Sequence, residues 1–251
     1  MGADRDRSDM SEQKLIRGWA TGSAGVKIRL AKADHLPAIS ELTPETGQEL
    51  GPRMTTIIRD GVMGSAHRAG LAARGRDNRQ EAFSRALAEA AGRHGPDQAF
   101  NVTSLVLVAE HPEHGVIGTA ITFSPANVAE QYAEHAQRAG APPREITGVL
   151  LSSVIALAKV STLAVAEPFR GSGIGAALLS RVKKVFFANG YQYVYGQIPA
   201  DRPHLVGFYR RAGFDVLEPD EGLDLWTVFG IPGGIRPDRG ERFFVHTNAP
   251  G

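Results

Sequence analysis

The sequence predicts a mixed α/β fold with helical insertions. Three observations carry this. Short alternating apolar runs recur along the chain and are separated by stretches with helical spacing. Two of the runs flank the turn "HPEHG" and so read as a hairpin. A long apolar stripe at three- and four-residue intervals follows directly on a glycine-rich loop, the order of a strand–loop–helix unit.

The start, "MGADRDRSDMSEQK", is polar and lacks the apolar core of an export signal. Residues 1–24 therefore read as a flexible tail of a cytoplasmic protein, ahead of one domain over 25–251. "VKIRLAKADHLPAISEL" (Val26–Leu42) alternates, then turns helical after Asp34, which reads as the N-cap before Leu36 and Ile39. From about Gly51 to Ala91 the chain is mostly helical, broken near Arg74–Asn78. "FSRALAEAAGRHG" then stops at a glycine with basic residues beside it. Ser104–Glu110 and Val116–Ser124 are the hairpin strands, and Ala126–Gly140 is a helix. "APPREITG" is a loop. Periodicity does not assign the apolar "VLLSSVIALAKV" to helix or strand.

Ser161–Glu167 is a strand ended by Pro168. Beyond the glycine loop, Ile174, Ala177, Leu178, Val182, Val185 and Phe186 form one helical stripe that stops at Asn189-Gly190. Tyr191–Ile198 is a strand, and Pro203–Phe214 a short helix capped by Gly213. "LDLWTVFG" and "RFFVHT" supply two late strands.

Composition narrows the function classes. The chain has 251 residues, 42% hydrophobic, enough for a substantial core. A formal net charge of +1 gives no global field for nucleic acid or an anionic membrane. No apolar run is long enough to cross a bilayer. With no cysteine, disulfides, thiolate metal sites and a cysteine nucleophile are excluded. His111 and His114 lack a third ligand and read as a solvated pair, so no metal is expected. Glu130 and Glu134 could meet a cationic amine, but a charged stripe on a helix is ordinarily its solvent face.

The chemistry concentrates in "FRGSGIGAALL" (Phe169–Leu179). A glycine-rich loop opening into a helix aims backbone N–H groups at one point, an anion site. Gly171-x-Gly173-x-x-Ala176 fits the dinucleotide fingerprint, but "VYGQIP" stands where an acid should meet the ribose. Arg170-x-x-Gly173-x-Gly175 fits a different pattern. With "LAVAE" before it and "GFYRRAGF" further along, the segment Ser161–Phe214 resembles the GNAT superfamily of acyl-CoA-dependent N-acetyltransferases. The opening strand and helix at Val26–Ile39 and the hairpin agree with that family. The insertions near 51–95 and 126–158 have no counterpart in it.

The resemblance implies a GNAT-like mixed central sheet flanked by helices, acetyl-CoA as co-substrate, and a primary amine of a small molecule or protein as acceptor. It implies that Leu163 and Val165, with Ala164 between them, offer backbone groups to the acyl carbonyl and the pantetheine arm. It places the CoA pyrophosphate on Arg170, Gly171, Ser172, Gly173, Ile174, Gly175 and Ala176. Tyr209 would protonate the departing thiolate, with Phe208 packing beside it. No base stands out. Glu167 is the first candidate, and Glu110, Asp201 and His204 are others. Where the family often has an asparagine contacting the pantetheine, this chain has Arg202. Without a cysteine, the amine attacks bound acetyl-CoA directly. The insertion at 126–158 leaves a hairpin that borders the family's cleft and is expected on the acceptor side. A non-catalytic acyl-CoA sensor and a nicotinamide-dependent oxidoreductase remain as alternatives, and a homodimer is allowed.

Overall fold

The computed structural model describes residues 10–22, 25–95, 97–142, 145–146, 155–225 and 234–248. The helices, in chain order, are α1 (Glu12–Arg17), α2 (Leu36–Leu42), α3 (Pro52–Arg59), α4 (Ser65–Ala72), α5 (Arg76–His94), α6 (Asp97–Thr103), α7 (Ala126–Arg138), α8 (Ile174–Ala188) and α9 (Pro203–Arg211). The strands are β1 (Trp19–Ala20), β2 (Lys27–Leu30), β3 (Leu105–His111), β4 (Gly115–Phe123), β5 (Leu157–Val165), β6 (Tyr193–Pro199), β7 (Asp215–Val216), β8 (Leu223–Asp224), β9 (Gly234–Ile235) and β10 (Glu241–Thr247). No helix among the described residues is long and apolar enough to cross a membrane.

The chain divides into two compact units. The first comprises Met1–Phe123 and Ser161–Asn189, the second Ser124–Val160 and Gly190–Gly251. In the first, the strand order is β1-β2-β3-β4-β5, antiparallel from β1 to β4. Val106, Val108 and Ile121 on one face pack with Ile39 of α2 and Met54, Ile57 and Ile58 of α3. Helix α8 closes on β4 at Gly118, where a Cβ would lie 3.1 Å from the Ala164 carbonyl oxygen and 3.3 Å from Ile174 Cγ2.

Three elements differ from the sequence reading. Part of the expected N-terminal tail is structured. Ser11 accepts the Lys14 N–H and caps α1, and β1 pairs antiparallel with β2. Leu15 of α1 and Trp19 of β1 are fully buried, and the Arg181 guanidinium lies over the indole at 5.1 Å. Polar neighbours hid these two anchors. Asp34 is not an N-cap: a 3-10 turn (Ala33–His35) leads into α2, and the His35 ring nitrogen accepts the Lys32 N–H instead. Helix α6, absent from the sequence reading, fills the segment just before β3.

Asn189, read as a helix stop, turns inward. His67 of α4 is fully buried, with its Nε2–H donated to the Thr103 carbonyl at 2.9 Å. Asn189 Nδ2 donates to His67 Nδ1 at 3.2 Å and to the Val185 carbonyl at 2.8 Å. Burial depresses the His67 imidazole from 6.5 to about 4. The unfolded chain takes up this proton below pH 6.5 and the folded chain does not. Stability from this site is therefore complete above pH 6.5 and lost as pH falls toward 4. The span is about 3 kcal/mol, at ~1.4 kcal/mol per unit. Urea melts of wild type and His67→Gln should show a stability gap that narrows from pH 7.5 to pH 4.5. A gap independent of pH would contradict a buried neutral imidazole.

In the second unit the order is β5-β6-β10-β7. β5 and β6 are parallel from Leu157↔Tyr193 to Val160↔Gly196, and β10 is antiparallel to both β6 and β7, so the sheet is mixed as expected. Leu157, Tyr195, Leu225, Phe243 and Val245 form its core. Strand β5 starts at Leu157, upstream of the expected Ser161. Ala156, Leu157 and Ala158 are buried in succession, which removes the alternation a strand reading needs. The expected late strand is described only at β8, which pairs with β9 in a ribbon. Residues 226–230 of that strand, and residues 149–154 of the unassigned apolar stretch, lie outside the described residues.

Candidate functional site

Strand β5 presents backbone where the site is expected. Val160, Thr162 and Ala164 are buried, and Ser161, Leu163 and Val165 alternate with them half-buried. The Ala166 N–H is donated to Ile117 of β4 at 2.9 Å. Backbone direction alternates along a strand, so Ala164 and Thr162 also face β4, while Leu163 and Val165 turn their N–H and C=O groups to the other edge. On that edge β6 pairs with β5 only as far as Val160. Among the described residues, Ser161–Val165 has no strand partner there.

The loop follows at once. Pro168 ends the strand in a 3-10 turn (Glu167–Phe169). The Phe169 N–H bonds to the Ala166 carbonyl at 2.9 Å and the Arg170 N–H to that of Glu167 at 3.2 Å. Gly171 (φ +77°) and Gly173 (φ +84°) take the left-handed conformation that glycine adopts without strain. The Ser172 hydroxyl donates to the Phe169 carbonyl. The Ala177 N–H bonds back to Gly173 at 3.0 Å, so Ile174, Gly175 and Ala176 begin α8 with N–H groups that have no helical acceptor. Gly173, at the N-cap, has no side chain with which to cap them. An uncapped helix start, with its positive dipole end, is suited to a phosphate.

Arg170 bridges the two parts. Its Nε–H is donated to the Val165 carbonyl at 3.0 Å, and its guanidinium pairs with Glu45 on the 3-10 turn Thr43–Thr46. The imidazoles of His111 and His114 pack on each other at 4.7 Å and on Phe169 at 5.7 and 5.3 Å, flanking the loop. Among the described residues no cluster of acidic or histidine side chains could hold a metal ion.

Of the candidate bases, Glu167 is exposed on the turn beside β5. Glu110 is committed elsewhere: Arg29 Nη2 donates to it at 3.0 Å, and His35 stands 3.9 Å away. Asp201 and His204 are exposed near the start of α9, and the Arg202 carbonyl accepts the Leu205 N–H at 3.0 Å.

The strand and loop residues come together in the first unit; Tyr209 belongs to the second. Its ring stacks on Phe244 of β10 at 3.8 Å and 17°, with Phe208 and Phe214 edge-on. Burial raises its phenol above the ordinary tyrosine range, so it holds its proton at neutral pH. The Gly213 N–H bonds to Arg210 and the Phe214 N–H to Tyr209, closing α9 as its glycine predicts. Sequence reasoning missed Gly196 and Phe244. A Cβ at Gly196 would lie 2.3 Å from Phe244 Cζ and 2.7 Å from the Val160 carbonyl, so only a bare backbone admits the ring that supports Tyr209. A glycine inside the strand "YVYGQI" was the available signal.

A family model described as acetyltransferase (GNAT) family matches residues 80–214. No curated protein matches the chain in sequence. Among solved structures, the diaminobutyrate acetyltransferase of Paenibacillus lautus, in complex with L-2,4-diaminobutyric acid and coenzyme A, is 16% identical with a TM-score of 0.43. The alignment covers 90% of this chain and 98% of that one. A phosphinothricin acetyltransferase of Sinorhizobium meliloti, in complex with acetyl-CoA, is 16% identical with a TM-score of 0.43, covering 89% of this chain and 88% of that one. The Salmonella typhimurium protein yncA, solved with acetyl-CoA, is 17% identical with a TM-score of 0.42, covering 89% and 94%.

Proposed function

Because the chain belongs to the GNAT acetyltransferase family, we propose that it transfers an acetyl group from acetyl-CoA directly to a primary amine, in the cytoplasm. The observation that carries the reading is the uncapped glycine loop placed directly after a strand edge without a strand partner. N–H groups of the loop, from Gly171 to Ala176, take the pyrophosphate. Val165 and its neighbours pair with the pantetheine arm as an added strand would. Attack of the amine forms a C–N bond and puts charge on the acyl oxygen, which the Leu163 N–H, directed at the open edge, stabilises. The C–S bond then breaks, and the Tyr209 O–H gives its proton to the thiolate. The proton of the attacking amine leaves to Glu167, directly or through water. The absence of cysteine supports transfer without an acyl-thioester intermediate on the protein.

The test is CoA thiol release from acetyl-CoA against a panel of primary amines. Release that depends on one amine class is expected. Binding of acetyl-CoA without release in the presence of any amine would leave a CoA-binding module and refute the enzyme.

A further inference from the structure

On the acetyltransfer reading, we propose that the acceptor is a small amine that also carries a carboxylate, an amino-acid-like zwitterion, held in a polar cavity of the second unit. The cavity measures about 230 Å³, and its polar lining comes from Lys159, Tyr195, Gln197, Arg236, Asp238 and Gln131 of α7. That volume suits a ligand of amino-acid size rather than a protein segment.

The placement follows from strand geometry. Lys159 and Tyr195 are register partners on β5 and β6, and Gln197 follows Tyr195 on the same face, two residues on. Helix α7 lies in the insertion expected on the acceptor side, and its Val128 and Gln131 line the cavity.

The chemistry of the lining selects the ligand. Gln197 Oε1 already accepts the Asp238 N–H at 2.7 Å, so its amide offers donors. Burial raises the Tyr195 phenol above its usual range, so it too is a donor. No described residue forms an ion pair with the Lys159 ammonium, and Arg236 spends one nitrogen on the Asp220 carbonyl at 3.4 Å. These four groups, two of them cationic, match a carboxylate. Asp238, with Glu241 close enough to interact with both it and Lys159, supplies the opposite charge for the ligand's ammonium. A plain alkylamine could use Asp238 but would bring no anion to Lys159 and Arg236. Polyamines are therefore the wrong complement.

The experiment compares each amino acid with its decarboxylated amine: L-lysine with cadaverine, L-ornithine with putrescine, L-phenylalanine with phenethylamine. Thiol release from acetyl-CoA gives kcat/KM for each. In at least one pair the carboxylated member should lead by about 10-fold or more, the worth of one charge-assisted contact. In Lys159→Gln, and separately in Arg236→Gln, that ratio should fall toward one through KM rather than kcat. Turnover with ratios near one in every wild-type pair, or ratios that survive both substitutions, would overturn the acceptor class and leave acetyl transfer standing. If no amine releases thiol, the acetyltransfer reading fails, and calorimetric titration of the same amino acids into the CoA-loaded protein decides the cavity. Binding lost in Lys159→Gln supports it; no binding overturns it.

Discussion

Gly173→Asp is expected to abolish acetyl-CoA binding while the protein stays folded. Gly173 is the N-cap of α8 at φ +84°, and a Cβ there meets nothing within 4 Å. Its steric cost is therefore confined to the backbone, about 1 kcal/mol for a side chain in the left-handed region, less for aspartate than for most residues. Its effect on the ligand is far larger. The carboxylate would cap the N–H groups intended for the pyrophosphate and set negative charge against them. A rise in Kd of roughly 100-fold or more is expected, which is ~2.7 kcal/mol. Thermal shift reports both quantities: the free protein should melt within a few degrees of wild type, and acetyl-CoA should no longer raise the midpoint. Unchanged acetyl-CoA affinity would remove the loop from the site. The same titration with NADH tests the dinucleotide reading of the loop, for which no stabilisation is expected.

Tyr209→Phe should lower the rate of the chemical step by roughly 10²-fold to 10⁴-fold, with acetyl-CoA affinity nearly unchanged. The ring is what packs: it stacks on Phe244 and meets Phe208 and Phe214, all of which phenylalanine preserves. Only the hydroxyl is lost. Burial raises its pKa, so the hydroxyl is protonated when the C–S bond breaks. The loss belongs to the transition state, so kcat should fall without a matching change in binding. Single-turnover rates are the proper measure, since slow product release would mask the effect in steady state. Wild-type single-turnover rates in Tyr209→Phe would leave the residue a packing element.

How much of this was legible in the sequence depends on how local each feature is. The conformation of the loop was legible because it is set by contiguous residues. Two left-handed glycines, a small-residue helix start and an apolar stripe fall within a few residues of one another. The helix that carries Tyr209 was legible through the glycine stop in the same stretch. The lack of a strand partner beyond Val160 among the described residues was not, because it depends on where β6 stops pairing. Glu110 looked available until Arg29, from another strand, was placed against it. The support of Tyr209 by Phe244 over Gly196 joins three distant segments. The lining from Gln131, Lys159, Gln197 and Asp238 likewise converges only through the sheet register. Leu15 and Trp19 were hidden for a simpler reason: two anchors in a polar stretch are too few to make a period.

Direct transfer is tested by a rapid-quench single turnover with enzyme in excess over acetyl-CoA labelled in the acetyl group, followed by intact mass of the protein. The expected result is label passing from CoA to the amine at the rate CoA appears, only when amine is present, with the protein mass unchanged throughout. Label on the protein before it reaches the amine, or CoA released at the same rate without amine, would contradict direct acetyl transfer.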